Sequence, residues 1–142
     1  MTLSLLKDTI IKRGGGMKKV IKTDKAPDAI GPYSQGILSD KLLFISGQIA
    51  IIPGTEELIK GEIELETEQI LKNIKAILEE AGGVMENIVK TTIYLRDIGN
   101  FYTVNKIYGQ FFKTEPPARA TVAVSNLPKG VDIEIEAIAV LD

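Results

Sequence analysis

The chain has 142 residues, 44% hydrophobic and 25% charged, with a formal net charge of −2, which fits one domain with an ordinary core and a solvated surface. It contains no cysteine and no histidine. Thiolate nucleophiles, disulfides, Fe–S clusters and Ser-His triads are thereby excluded, a zinc site would need carboxylates alone, and general acid–base chemistry falls to Glu, Asp, Tyr, Lys or water.

Residues 1–16 end in Gly14-Gly15-Gly16 and are expected to be an N-terminal extension, with a single domain over 17–142. Lys18 to Lys22 reads as a short edge strand, and Ala26-Pro27 and Gly31-Pro32 mark a loop. Tyr33 to Leu38 and Leu42 to Ile51 read as strands of a hairpin that turns at Ser39-Asp40-Lys41. Leu65 to Ala81 has helical spacing in Ile70, Leu71, Ile74, Ile77, Leu78 and Ala81, acidic residues in its first turn, and a stop at Gly82-Gly83. Ile88 to Leu95 is rich in β-branched residues and predicts a strand. Asn100 is the expected N-cap of a second helix, Phe101 to Lys113, which Pro116-Pro117 cannot continue. Arg119 to Ser125 and Val131 to Leu141 complete the strands. This order predicts an α+β fold with helices on one sheet face. The lysines are interleaved with glutamates, which argues against a nucleic-acid partner. No apolar run approaches the ~20 residues that span a bilayer; no membrane partner is expected, and the missing cysteines fit a cytoplasmic protein.

Strand faces alternate. Val131, Ile133, Ile135, Ala137, Ala139 and Leu141 share the face expected to meet the helices; Asp132, Glu134, Glu136, Ile138 and Val140 share the other. A fully solvated face has no need of Ile138 and Val140, so that surface is expected to be partly covered by another subunit. Arg119, one of three arginines, opens an apolar β-type run after Pro116-Pro117. A planar, permanently charged fork on a rigid element suits a small carboxylate. If the last two strands pair, Arg119 and an acid of the Asp132–Glu136 row would be neighbours. Plainer roles compete: a structural Arg119–Glu134 ion pair, Tyr33 as a packing tyrosine, Asn105 as a solvated amide, Ser46-Gly47-Gln48 as a β-bulge, and Glu79-Glu80 as a solvated helix face.

Ile30-Gly31-Pro32-Tyr33-Ser34-Gln35-Gly36, Ser46-Gly47-Gln48-Ile49, Val89-Lys90-Thr91-Thr92-Ile93-Tyr94, Val104-Asn105, Pro117-Ala118-Arg119 and Ile133-Glu134-Ile135-Glu136-Ala137-Ile138-Ala139, in this order, resemble the Rid family of reactive intermediate deaminases, also called YjgF-like proteins, and its RidA-type subfamily in particular. The resemblance spans Met17 to Asp142. It implies a chorismate mutase-like mixed sheet with two helices on one face, assembled as a homotrimer with clefts between subunits. It implies hydrolysis of 2-imino acids, or their enamine tautomers, to 2-keto acids and ammonia without a cofactor. Arg119 would clamp the substrate carboxylate and Glu134 would steer the attacking water. Backbone groups at Gly47 and Thr121 would fix the imine end, while Tyr33 and Asn105 would close the cleft. The well-known members often carry cysteine where this chain has Thr121, and the connection from Phe111-Phe112 to Pro117 is shorter than in some members. The second reading of the same residues is a non-catalytic trimer that binds a small metabolite. Ribonuclease and chaperone-like roles, also linked to the family, rank lower.

Overall fold

The computed structural model describes residues 12–13 and 16–142. Lys12–Arg13 (β1) pairs antiparallel with Gly16–Met17 (β2); the rest of the expected N-terminal extension lies outside the described residues. Lys19–Ile21 (β3), Gly36–Ser39 (β4), Leu42–Gln48 (β5), Ile88–Leu95 (β6), Ala118–Ala123 (β7) and Ile133–Val140 (β8) form a six-stranded sheet in the order β3-β4-β5-β8-β6-β7. Every neighbouring pair is antiparallel except β6 and β7, which run parallel and are joined through a helix. Helices α1 (Ile63–Glu80) and α2 (Phe101–Phe111) pack on one face. The α+β mixed sheet with two helices on one side is as expected.

Alternation decides which face they cover. Ile133, Ile135, Ala137 and Ala139 of β8 are buried, and they meet Ile70, Leu71, Ile74, Ile77 and Leu78 of α1 in one core with Ile93 and Leu95 of β6. Helix and sheet approach so closely at Gly36 that a Cβ there would stand 3.0 Å from Ile77 Cγ2. The hairpin between β4 and β5 turns at Asp40, whose φ of 53° places it in the left-handed region that Asp tolerates. Gly82, at φ +90°, supplies the C-terminal stop of α1.

Among the described residues no helix covers the opposite face of the sheet. A row of paired residues crosses all six strands there, through Val20, Ile37, Phe44, Ile138, Lys90 and Ala118. Val20, Leu42, Phe44, Val122 and Val140 are among its large exposed apolar side chains. Exposed apolar surface on this scale marks an interaction face.

Several expectations differ from the structure. The first hairpin strand starts at Gly36, because Tyr33 N–H donates to Gly31 O (2.9 Å) and makes residues 31–33 a turn. Its partner stops at Gln48, after a register shift between Ile45 and Gln48 of the kind the plainer, β-bulge reading of Ser46-Gly47-Gln48 calls for. Asn100 makes no capping bond; it belongs to a 3₁₀ turn, Ile98–Asn100, capped by Asp97, whose Oδ1 accepts from Gly99 N–H at 2.8 Å. The largest correction concerns the last two strands. β7 does not pair with β8, since β6 lies between them. A parallel β6–β7 pair needs a crossover, which α2 provides, and this sends β7 to the sheet edge. Among the described residues no helix is long and apolar enough to cross a membrane.

Ile135 is fully buried beneath the helices. Ile135→Ala is expected to destabilise the chain by about 2–5 kcal/mol through lost burial and the cavity left behind, read as a lowered denaturation midpoint with an unchanged denaturant slope.

Candidate active site

The chain presents two separate clusters of polar side chains. The first is built on β5, β8 and the loop before β4. The bulge after Ile45 lifts Ser46 and Gly47 out of the regular ladder. Ser46 Oγ donates to Ser34 O (2.5 Å) and Ser46 N–H to Gln35 O (2.9 Å), so the loop carrying Tyr33 is strapped to the bulge. Gln35 is buried and holds the preceding turn: its Oε1 accepts from Thr23 N–H (2.7 Å) and its Nε2 donates to Pro27 O (2.7 Å). Glu134 projects from β8 onto this platform. Its carboxylate lies so close over Gly47 that a Cβ there would overlap Oε2. The glycine leaves room for the carboxylate in this position; its backbone conformation makes no demand for glycine. Tyr33, Gly47, Gln48, Glu134, Glu136 and Lys129 are among the residues that line one cavity of about 590 Å³. Tyr33, Ser46 and Glu136 also border a second hollow, of about 790 Å³, on the open sheet face.

Glu134 is half-buried, and burial, with the nearby charge of Glu136 adding to it, pushes its carboxyl above the usual carboxylate range. Glu136 differs: it is exposed, and its Oε2 accepts from Tyr94 O–H at 3.0 Å. The carboxylate seated on Gly47 is therefore Glu134, while Glu136 is engaged with β6.

The second cluster lies on the other side of the sheet, at its β7 edge. Arg119 pairs in register with Thr91, and Thr91 with Ala137, which places the arginine on the helix side. Its guanidinium carbon sits 5.0 Å from the centre of the Tyr108 ring and 5.5 Å from that of Phe101. Such contacts hold a cation without neutralising it. Thr91 and Tyr108 share a buried hydroxyl–hydroxyl bond of 2.7 Å, which fixes the ring under the arginine. Asn105 occupies the same helical stripe as Phe101 and Tyr108, four and three residues from them respectively, and is half-buried. Thr121, two residues beyond Arg119, keeps a buried Oγ1 with no partner.

The structure thus brings together Tyr33, Gly47 and Glu134, and separately Arg119, Asn105 and Thr121. It does not bring Arg119 to Glu134: the expected juxtaposition within one chain is corrected, and an Arg119–Glu134 ion pair within the chain is excluded with it. Phe101 and Tyr108 escaped the sequence reading because aromatic residues at helical spacing look like core, and Thr91 because a threonine in a β-branched run looks like ordinary strand. No group of three or more Asp or Glu among the described residues could hold a metal ion.

The model of the family described as Endoribonuclease L-PSP matches residues 23–141. The human 2-iminobutanoate/2-iminopropanoate deaminase is 52% identical over 124 residues, covering 87% of this chain and 90% of its own. The crystal structure of a Rid family protein of unknown function from Yersinia pestis is 53% identical, covers 87% of this chain and 99% of its own, and superposes with a TM-score of 0.86. TdcF from E. coli, solved with bound serine, is 42% identical with a TM-score of 0.84, covering 87% and 99%.

Two substitutions test the seat of Glu134. Gly47→Ala is expected to displace the carboxylate and return its titration toward the ordinary Glu range, as followed by carbon-detected NMR; Glu136→Gln should lower the midpoint less, by removing one like charge. An unmoved midpoint in Gly47→Ala would show that Glu134 is not held there.

Proposed function

The chain belongs to the Rid, or YjgF-like, family, and from that membership we propose that it hydrolyses small 2-imino acids to 2-keto acids and ammonia in clefts between protomers. The observation that carries this reading is the separation of the two clusters. One face offers a raised-pKa carboxylate in a cavity that no arginine lines; the other offers an exposed arginine that no carboxylate pairs with among the described residues. Each is half of a site for an anionic electrophile. A head-to-tail contact puts the arginine of one protomer against the Glu134 cavity of the next and repeats until the ring closes. Three protomers is the number the family resemblance implies. The apolar side chains of the open face supply surface for that contact.

In this cleft Arg119 clamps the substrate carboxylate through two charge-assisted hydrogen bonds, with Asn105 and the Thr121 backbone beside it. Glu134 of the adjoining protomer accepts a proton from water as the water oxygen adds to the C=N carbon. It returns that proton to nitrogen; the hydroxyl left on carbon then gives up its own proton, which Glu134 passes to the amino nitrogen as the C–N bond breaks, so that the keto group forms and nitrogen leaves as ammonia. One imine and one water become one keto acid and one ammonia. A carboxyl whose pKa is raised toward neutrality suits both taking and giving the proton. The imine carbon is already electrophilic, so positioning carries much of the rate, and no step needs histidine, thiol or a cofactor. The bound serine of TdcF, a small 2-amino acid, is a ligand of the expected size and charge pattern. The relatives named as endoribonucleases share the fold; RNA cleavage here would lack histidine.

The proposal is tested by following keto acid release from enzymatically generated 2-aminoacrylate. Arg119→Ala should lower kcat/KM by about 100-fold or more. Glu134→Gln should lower kcat by roughly 100-fold to 10,000-fold while still binding a 2-keto acid. Uptake of the keto acid by the unmodified protein with no acceleration of release would leave a binding protein only. The shared-site geometry has its own test. Equal amounts of Arg119→Ala and Glu134→Gln chains, unfolded and reassembled together, should recover roughly a quarter of full activity, because three-quarters of random three-membered rings are mixed and each mixed ring rebuilds one intact site of three. A site contained in one chain would recover nothing on mixing.

A further inference from the structure

Glu66, in the first turn of α1, is fully buried although it is a carboxylic acid. Its Oε1 accepts from Asp132 N–H at 3.3 Å, while Oε2 has no partner in good hydrogen-bond geometry. The Asp132 carboxyl approaches it as a looser side-chain partner. Asp132 in turn accepts from Gly61 N–H through Oδ2 (3.3 Å), and its carbonyl accepts from Arg96 N–H (3.1 Å). Among the described residues neither carboxyl has an ion-pair partner. Of the cations on the surrounding segments, Arg96 Nη1 donates to Gly130 O (2.8 Å), Lys60 Nζ lies beside Gly130, and Lys129 lines the Glu134 cavity. From α1's own end, the Glu62 carbonyl accepts Glu66 N–H at 2.9 Å, and the Glu62 backbone also favours the charged form of the Glu66 carboxyl, more weakly than burial disfavours it. Two carboxyls brought this close with no cation are held together best when they share one proton.

We infer that Glu66 and Asp132 form a proton-sharing clasp that fastens the turn Pro128–Gly130 and the start of β8 to α1, making Glu66 a positioning residue for the Glu134 cavity. Asp132 is the hub. It stands two residues before Glu134, and Pro128 and Lys129, on the turn it anchors, line the same cavity as Glu134. The turn needs such an anchor, because Lys129 adopts φ 57°, a conformation that costs energy in a residue with a Cβ. Burial first, and then the Asp132 side chain, push the Glu66 carboxyl up to about 7. Its proton is therefore retained well above the ordinary carboxylate range. The stability this gives is complete below about pH 4.5, where the unfolded chain is also protonated, and is progressively lost as pH climbs to about 7. Release of the proton leaves two anions facing each other in a buried space.

The test compares the full chain with Glu66→Gln, whose amide keeps a donor at every pH, and with Asp132→Asn, which removes the facing charge. Thermal unfolding midpoints are measured from pH 4.5 to 8.5. Relative to Glu66→Gln, the unmodified protein should lose on the order of 5–10 °C between pH 4.5 and 7 and then level off. Asp132→Asn should shrink that loss. Parallel curves for all three proteins would overturn the clasp, as would a Glu66→Gln protein that is less stable by the same amount at every pH. If Glu66→Gln fails to fold, Asp132→Asn decides alone, by showing or not showing the smaller loss. The activity arm rests on the deaminase reading. There, KM of the unmodified protein should rise about threefold or more between pH 6 and 8.5 relative to Glu66→Gln, with the ratio of kcat values steady. A KM ratio that stays flat across that range would remove Glu66 from the positioning of the cavity. An inactive protein that still shows the pH-dependent midpoint would sink the deaminase reading and leave the clasp standing.

Discussion

Period-two alternation along β-strands puts Arg119 and Glu134 on opposite sides of one sheet, and no side-chain rotamer undoes that separation. Arg119 stands on the helix-covered side, at the end of a row that runs through Thr91 and Ala137. Glu134 stands on the uncovered side, opposite Tyr94. Within a single chain, the Arg119 guanidinium and the half-buried Glu134 carboxyl therefore cannot meet the same small molecule. The proposed ring of protomers answers this constraint, and it gives the exposed Phe44, Val122 and Val140 a reason to be there. In that proposed ring, catalysis and assembly would become one requirement, because the contact that hides the apolar face would also complete the cleft.

The chemistry available without histidine or cysteine depends on small differences between carboxylates. Three lie along one strand and its approach, and each has a distinct setting. Glu134 rests on bare backbone at Gly47 and loses solvent. Glu136 keeps solvent and takes a tyrosine hydroxyl. Asp132 is committed to backbone amides and to Glu66. Identical functional groups thus meet different surroundings, and at Glu134 the loss of solvent raises the proton affinity, a means by which a fold brings a carboxyl toward acid–base work.

Much of the fold could be read from residue pattern. The alternation of β8 and the helical spacing of Ile70, Leu71, Ile74, Ile77 and Leu78 predicted which side chains form the core, and the burial agrees. Strand order was another matter. Residue spacing reports the period of each strand but not its neighbour, so pairing Arg119's strand with Glu134's was a natural error, and the crossover through α2 corrects it. Glu66 was hidden for a different reason. It stands in a run with Glu62, Glu64 and Glu68 that looks like ordinary first-turn charge, and only the helix's rotation against β8 turns it inward. The site residues themselves came from six motifs in order. Their division into two half-sites came from topology.

The arginine resting on Phe101 and Tyr108 has a further consequence. Its charge is cradled but not cancelled, so a spot of positive potential persists at the edge of a chain whose overall balance is −2. Such a spot attracts small anions from outside the cleft before any contact is made, over about 8 Å at physiological ionic strength. Capture would then slow in concentrated electrolyte while the later bond-making step would not. In the proposed reaction, the speed of substrate capture would thereby be tied to the salinity of the surroundings.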